Sequence, residues 1–114
     1  MENKTHILRF RAVDKDIFTA IKSGNKKIET RAASPKFLNM KAGDNIILVC
    51  GKERLEKKIK NVRKFSSVKD LLKIYKAQEI NPKTTNLEEL EKMYYSFPGY
   101  REKIKEYGLI ALEL

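Results

Sequence analysis

The sequence has few of the residues that build metal centres and covalent cross-links. Among its 114 residues there is one cysteine, Cys50, and one histidine, His6. A lone cysteine forms no intramolecular disulfide, and a cysteine-rich zinc site needs several thiolates. His6 has no histidine or cysteine partners for a metal and belongs to no visible Ser-His-Asp arrangement. We therefore predict neither a metal nor a cofactor, and we interpret Cys50 as a small buried side chain and His6 as structural or surface-exposed.

Long apolar runs are missing as well. No stretch approaches the roughly 18–20 apolar residues that a membrane-spanning helix needs. The first residues lack the apolar core of a signal peptide. We therefore expect a cytoplasmic protein that does not use a membrane. The length predicts a single domain over residues 1–114, because one core typically serves about 100–150 residues.

Positive charge is what the sequence has in excess. Lysine and arginine number 25 against 15 aspartates and glutamates, which gives a formal net charge of +10. An excess of this size favours an anionic partner, with nucleic acid ahead of a membrane surface. The alternative is a soluble protein whose surface is simply rich in lysine.

The hydrophobic periodicity predicts a mixture of strands and helices. Strands are expected at residues 5–11, 26–31, 45–50, 54–65 and 107–114, and helices at 13–22, 68–75 and 87–97. The long strand 54–65 changes register at Val62, which predicts a bulge near Lys60 or Asn61. A polar connector containing Pro82 and a short charged segment after Gly99 are expected without regular structure. Strands with helices between them favour a small mixed barrel or an open α+β sheet.

The second predicted strand carries a dense cluster of charge. Arg31 offers a planar fork that suits a phosphate or carboxylate, and Lys26 offers a mobile point charge. Glu29 between them would stay ionised, hold both cations in place and accept a hydrogen bond from the exocyclic amine of a base. The alternative is an ion-pair network that pins the strand to its neighbour. Because desolvation can outweigh the attraction in a buried pair, the clustering mildly favours a functional reason.

Gly24, Lys26, Glu29 and Arg31 stand as G-x-K-x-x-E-x-R, which resembles the signature of the ASCH domain family. The predicted strand and helix before the signature fit the same family. So does the rest of the chain, with a Gly43-Asp44 turn, then Phe97-Pro98-Gly99-Tyr100, and finally Tyr107-Gly108-Leu109-Ile110-Ala111-Leu112. The resemblance covers nearly the whole chain.

The resemblance implies an α+β fold built as a small PUA-like mixed β-barrel with helices packed against it. It also implies binding of RNA or a nucleotide, with the signature strand facing a cleft. Some similar proteins are ribonucleases, and a related bacterial group hydrolyses an acylated cytosine nucleoside with a lysine, a threonine and a carboxylate. Lys26 matches that lysine, whereas Glu29 occupies the position of the threonine. A glutamate can serve as a base but does not replace a hydroxyl nucleophile.

The motif and the strand period disagree about the lysine. The motif groups Lys26 with Glu29 and Arg31, whereas a period of two places Lys27 on the face of those two residues. Both hold only if Lys26 lies in the turn before the regular strand. The sequence leaves open which lysine enters the cleft, and the motif favours Lys26.

Two further clusters fit a nucleic-acid partner. Seven basic residues lie close together at Lys52, Arg54, Lys57, Lys58, Lys60, Arg63 and Lys64. They predict either a ridge that follows phosphates or lysines that protect a sheet edge from aggregation. An aromatic cluster surrounds Pro98. In that cluster helical spacing places Tyr94 and Phe97 in the core and leaves Tyr95 and Tyr100 to stack on unpaired bases.

Two functions follow from these patterns. The first is a binding domain whose cleft holds RNA or a nucleotide, with ligand contacts from Lys26, Lys27, Glu29, Arg31, Tyr95 and Tyr100. The alternative is an enzyme acting on RNA or on modified nucleosides, with Lys26 and Glu29 as catalytic acid–base groups. The sequence shows neither a nucleophile nor a metal-binding set, which favours binding over catalysis.

Overall fold

The computed structural model describes residues 3–114 and shows the predicted α+β class of fold. Its strands are β1 (Thr5–Phe10), β2 (Ile28–Ala32), β3 (Asn45–Cys50), β4 (Glu53–Lys58), β5 (Asn61–Phe65) and β6 (Leu109–Glu113). Its helices are α1 (Lys15–Ser23), α2 (Val68–Leu71), α3 (Ala77–Ile80), α4 (Leu87–Ser96) and α5 (Tyr100–Tyr107). Across the described residues, none of the helices has the length and apolar character required to cross a membrane.

The strands form two sheets of three strands each. In the first sheet, in the order β1-β3-β4, β1 runs parallel to β3 and β4 runs antiparallel to it. In the second sheet, in the order β2-β6-β5, both pairings are antiparallel. The central strands, β3 and β6, carry the most continuous apolar sequence, which is typical of strands with neighbours on both sides.

A shared apolar core joins the two sheets. Alternate residues of β1 and β3, such as Leu8 and Leu48, pack in one cluster with Ile110 and Leu112 of β6 and with Phe18 of α1. All five side chains are fully or almost fully buried. Within residues 3–114 no closed hydrogen-bonded barrel is detected. The barrel therefore stays a prediction.

The predicted strand 54–65 is two strands that belong to different sheets. Ile59 is buried, and its amide donates to the carbonyl of Asp44 at 2.8 Å, next to β3. The next amide, of Lys60, donates to the carbonyl of Glu113 in β6 at 2.7 Å. The predicted bulge is thus the point where the chain leaves one sheet and enters the other. The change of register at Val62 has this cause.

The helical regions differ from the prediction in four places. The predicted helix 68–75 is a regular helix only over α2, Val68–Leu71. The charged segment after Gly99 is helix α5, in which Ile104 is the one buried residue, so its apolar signal in the sequence is weak. The connector before Pro82 contains the short helix α3. The final strand begins at Leu109, since Tyr107 ends α5.

Gly108 links α5 to β6 in a conformation that favours glycine, with φ +78° and ψ −156°. A Cβ atom there would lie 2.2 Å from the carbonyl oxygen of Phe65. Gly24 also has a positive φ, of +87°, but a Cβ atom would meet nothing within 4 Å. Strain is therefore the only penalty for a side chain at Gly24, whereas at Gly108 a backbone clash adds to it.

We predict that Gly108→Ala lowers the free energy of unfolding by about 3 kcal/mol or more. The matched Gly24→Ala should lower it by about 1–2 kcal/mol, the cost of the left-handed conformation alone. Urea unfolding followed by circular dichroism measures both. Equal losses would show that the close approach to Phe65 has no energetic consequence.

A second link ties the segment after α2 to β6. The Tyr75 hydroxyl donates to Glu113 Oε2 at 2.6 Å, and Arg63 Nε donates to the same oxygen at 3.1 Å. The hydrogen bond from Tyr75, together with Arg63, lowers the pKa of Glu113 from its ordinary value of 4.5. A carboxyl whose pKa is lowered by folding stabilises the protein above its unfolded-state pKa, and this stabilisation is lost as the pH falls through the folded-state pKa.

Tyr75→Phe is therefore expected to cost about 1 kcal/mol of unfolding free energy at neutral pH. This cost should shrink as the pH falls from the ordinary value of 4.5 through the lowered folded-state pKa, because only below that lowered pKa is Glu113 protonated in both folded proteins. Denaturant titrations over a series of pH values test this. Tyr107→Phe, whose side chain is 42% exposed, is the control and should change little at any pH.

Candidate functional site

Lys26 lies in the turn between α1 and β2. Gly24 ends α1, and the Lys26 amide then donates to the carbonyl of Ala20 at 2.9 Å. The turn directs the Lys26 side chain inward, where it is 2% exposed, while the neighbouring Lys27 is exposed. The motif and the strand period are reconciled in this way, since Lys26 precedes the regular strand.

The Lys26 ammonium is fully engaged inside the protein. It donates to the carbonyl of Ile28 and, at 2.5 Å, to the carbonyl of Ile80 in α3. It also lies 3.5 Å from Glu29 Oε1. Burial lowers the pKa of Lys26, and the Glu29 carboxylate opposes this effect. Because an ammonium has three N–H donors, these three partners leave none for a ligand.

Glu29 is the buried anion between two cations, with 5% of its surface exposed. Its Oε1 accepts from the Thr30 amide at 3.2 Å and faces Lys26. Its Oε2 accepts from Nε and Nη2 of Arg31, each at 3.3 Å. These contacts use the acceptor positions that the sequence analysis assigned to a base amine. The geometry makes Glu29 a residue that positions its neighbours.

Arg31 is held from three sides. Besides Glu29, its Nη2 donates to the carbonyl of Arg9 at 3.1 Å, and its guanidinium carbon lies 4.8 Å from the centre of the Phe10 ring. Its Nη1 takes part in none of these hydrogen bonds. The side chain is 22% exposed. Arg31 is thus fixed and still reaches the surface.

The Arg31 side chain lines a surface cleft with a volume of about 240 Å³. The cleft combines basic, aromatic and acidic side chains, namely Arg9, Phe10, Arg11, Asp14, Arg31, Phe97, Pro98 and Tyr100. A smaller inner chamber of about 40 Å³ shares several of these residues and is also lined by Glu29, Thr30 and Tyr94. Lys26, Lys27 and Tyr95 line neither chamber.

The floor and one wall of the cleft are aromatic. Tyr94 is buried, and its hydroxyl is hydrogen-bonded to that of Thr30. Burial raises the pKa of Tyr94, so this hydroxyl stays protonated. Tyr100 stacks on Tyr94 with ring centres 6.4 Å apart, and Phe97 meets Tyr100 edge to face at 5.1 Å. Burial also raises the pKa of Tyr100, while the positive charge of Arg31 opposes this rise.

The rim of the cleft comes from residues that the sequence analysis missed. Arg11 lies over the Phe97 ring at 5.1 Å, and its Nε donates to Asp14 at 2.9 Å. Arg9 and Arg11 alternate with apolar residues in the predicted strand 5–11, but nothing local showed that β1 ends beside Arg31. Tyr95, in contrast, lies outside the cleft, where Arg101 covers its ring at 4.3 Å.

The seven clustered basic residues do not form one ridge. They lie on β4 and β5 and in the turns beside them, and these are edge strands of two different sheets. The chain changes sheets within the cluster, which divides its charges between two edges. Their position fits the alternative of edge protection for most of the cluster.

The fold and the cleft together define a small α+β domain whose second strand presents fixed charges to a pocket. The chain belongs to the ASCH domain family, whose model matches residues 12–114. The family is generally thought to bind RNA.

Solved structures agree with this assignment. The crystal structure of the hypothetical protein PH0355 is 34% identical, has a TM-score of 0.81 and aligns with 96% of this chain and 95% of that one. The solution NMR structure of protein PF0455 from Pyrococcus furiosus is 28% identical, has a TM-score of 0.72 and aligns with 98% of this chain and 94% of that one. The comparison with curated proteins gave no match.

We predict that Lys26→Met lowers the free energy of unfolding by about 3–5 kcal/mol, because it removes one of the two cations that pair with the buried Glu29 carboxylate and a donor to two buried carbonyls. The matched Lys27→Met, at the exposed neighbouring position, should stay within about 0.5 kcal/mol of the wild type. Chemical denaturation of the two variants makes the comparison. Similar stabilities would mean that the buried ammonium is not needed.

Proposed function

We propose that the cleft binds single-stranded RNA or a nucleotide, with Arg31 as the main contact to phosphate. One observation supports this above the others. Arg31 is held by Glu29, by the Arg9 carbonyl and by the Phe10 ring, yet it reaches an open cleft of about 240 Å³. A fixed guanidinium loses little conformational freedom when it binds an anion, which favours affinity.

The charge around Arg31 fits a phosphate. Arg9 and Arg11 line the same cleft, against one carboxylate, that of Asp14, at its rim. Arginine presents a planar set of donors that matches phosphate oxygens, and such charge-assisted bonds are among the stronger hydrogen bonds in proteins.

The aromatic wall fits a base. Tyr100 and Phe97 lie beside Arg31 in the same cleft, and flat aromatic rings stack on unpaired bases of any sequence. Sequence-specific RNA recognition mostly uses such splayed, single-stranded bases. A volume of about 240 Å³ suits one nucleotide and excludes a double helix from the cleft itself.

The residues of the motif then divide their tasks. Lys26 and Glu29 position Arg31 without contacting the ligand. The Lys26 ammonium pairs with the Glu29 carboxylate, and this carboxylate fixes the Arg31 guanidinium. Arg31 and Tyr100 contact the ligand. Lys27 and Tyr95 lie outside both chambers and receive no role in the cleft.

We extend the proposal to the architecture and interpret the two sheets, with their shared core, as a PUA-like barrel.

The alternative of an enzyme has less support. Acid–base catalysis needs a group within hydrogen-bond reach of the reacting atoms. Lys26 lines neither chamber, and its ammonium is bonded to two backbone carbonyls. Glu29 reaches the inner chamber, but both of its oxygens already have donors.

The test is the salt dependence of RNA binding in Arg31 variants. The wild type should bind a single-stranded oligonucleotide with an affinity that falls steeply as salt rises. Arg31→Ala should weaken binding at least about tenfold, the usual effect of a lost charge-assisted bond. It should also reduce the salt slope by about 0.7 per lost phosphate contact. Arg31→Lys, which keeps the charge but loses the planar fork, should fall between the two.

Arg101→Ala is the matched control, since this arginine lies outside the cleft over Tyr95. It should bind RNA almost as the wild type does. Binding that does not depend on salt, or that survives in Arg31→Ala, would contradict the proposed function. Electrophoresis of the RNA after incubation would detect cleavage, and cleavage abolished by Lys26→Ala in protein that circular dichroism shows to be folded would favour the enzyme instead.

A further inference from the structure

The outer, solvent-facing side of the first sheet adjoins the cleft at Arg9. The register places Arg9 of β1 beside Val49 of β3, and Val49 beside Arg54 of β4, in one row across the sheet. Arg9 and Arg54 are exposed, and Arg9 also lines the cleft. Neighbouring strands lie about 4.8 Å apart, so the Cα atoms of the two arginines are separated by about 10 Å.

The charge of this face suits an anionic chain. Its exposed charged residues are basic except for Glu56, namely Arg9, Arg54 and Lys58. Among residues 3–114 neither Arg9 nor Arg54 lies within 4 Å of a carboxylate in an ion pair. Glu53, the neighbour of Arg54, turns to the opposite side and faces Lys15 and Lys22 of α1. The two arginines are therefore available to a partner.

The face also has an open apolar centre. Ile7 is 45% exposed, and it pairs with the half-buried Ile47 in the row next to the two arginines. The apolar strip of Ile7 and Ile47 offers bases a surface for van der Waals contact, while Arg9 and Arg54 bind the phosphates.

We propose that single-stranded RNA held in the cleft continues across this outer face, with its phosphates following the row from Arg9 to Arg54. This path rests on the proposed function, because Arg9 belongs to both the cleft and the row. The occupant is the extension of the strand in the cleft, since a second copy of this basic chain would meet like charge. Arg54 then contributes to affinity only when the RNA is long enough to leave the cleft.

The experiment compares two RNA lengths. Fluorescence anisotropy with labelled oligouridylates of about 4 and about 12 nucleotides gives the affinities at several salt concentrations. Arg54→Gln should weaken binding of the long RNA about fivefold, reduce its salt slope by about 0.7 and leave the short RNA unaffected. The control Lys64→Gln, on the exposed edge strand of the other sheet, should change neither affinity.

A second readout locates the RNA. The methyl NMR signals of Ile7, Ile47 and Val49 should shift with the long oligonucleotide and not with the short one. Shifts that grow with protein concentration in the absence of RNA would identify a second copy as the occupant and overturn the path.

The outcomes separate this path from the proposed function. If a short RNA binds, and Arg31→Ala abolishes that binding, while the long RNA gains nothing from Arg54, the path is wrong and the cleft function stands. If both lengths lose affinity equally in Arg54→Gln, Arg54 acts through the cleft and the path is again wrong. If the wild type binds neither RNA, both ideas fail.

Discussion

The structure depends on one buried carboxylate, that of Glu29. An ionised carboxylate out of water is costly unless cations and hydrogen bonds compensate it. Lys26 and Arg31 supply the cations, and the Thr30 amide supplies a further bond. Each cation has a second contact elsewhere, Lys26 with the carbonyl of Ile80 in α3 and Arg31 with the carbonyl of Arg9 in β1. Through these two cations, the Glu29 side chain connects β2 to α3 and to β1.

This arrangement explains why the charged motif is compact. A glycine ends α1, the next turn sends Lys26 inward, and the regular strand then places Glu29 and Arg31 toward the same cleft. Lys26 is sealed from solvent, whereas Arg31 is the member that reaches the surface. The motif therefore contains one residue that reaches the surface of the cleft, held in place by two buried residues.

The sequence predicted best those features that local patterns determine. Apolar residues at helical spacing predicted the helix over 13–22, and the apolar run of β3 predicted a buried strand. The buried face of α1 consists of Phe18 and Ile21, whereas Val13 in the predicted stripe is 77% exposed. The motif predicted that Lys26 and Arg31 lie close together, and both contact Glu29. Tyr100 was predicted as a ligand contact because helical spacing leaves it outside the core, and it lines the cleft.

Features that depend on distant partners were not predictable in the same way. Whether the chain bulges or changes sheets at Lys60 is decided by a hydrogen bond to Glu113, far along the sequence. Helix α5 buries little except Ile104, so its pattern resembles that of an exposed loop. The role of Arg9 required the packing of β1 against Arg31, and Tyr95 was excluded from the cleft only by the orientation of α4.

The two halves of the cleft come from separate parts of the chain. The arginines belong to β1, β2 and the turn after β1, whereas Phe97, Pro98 and Tyr100 form the corner between α4 and α5. Phe97 and Tyr100 also line the inner chamber together with Glu29 and Arg31, so the corner packs directly against the charged cluster. Under the proposed function the two halves have separate tasks, with the corner facing a base and the arginines facing the phosphates.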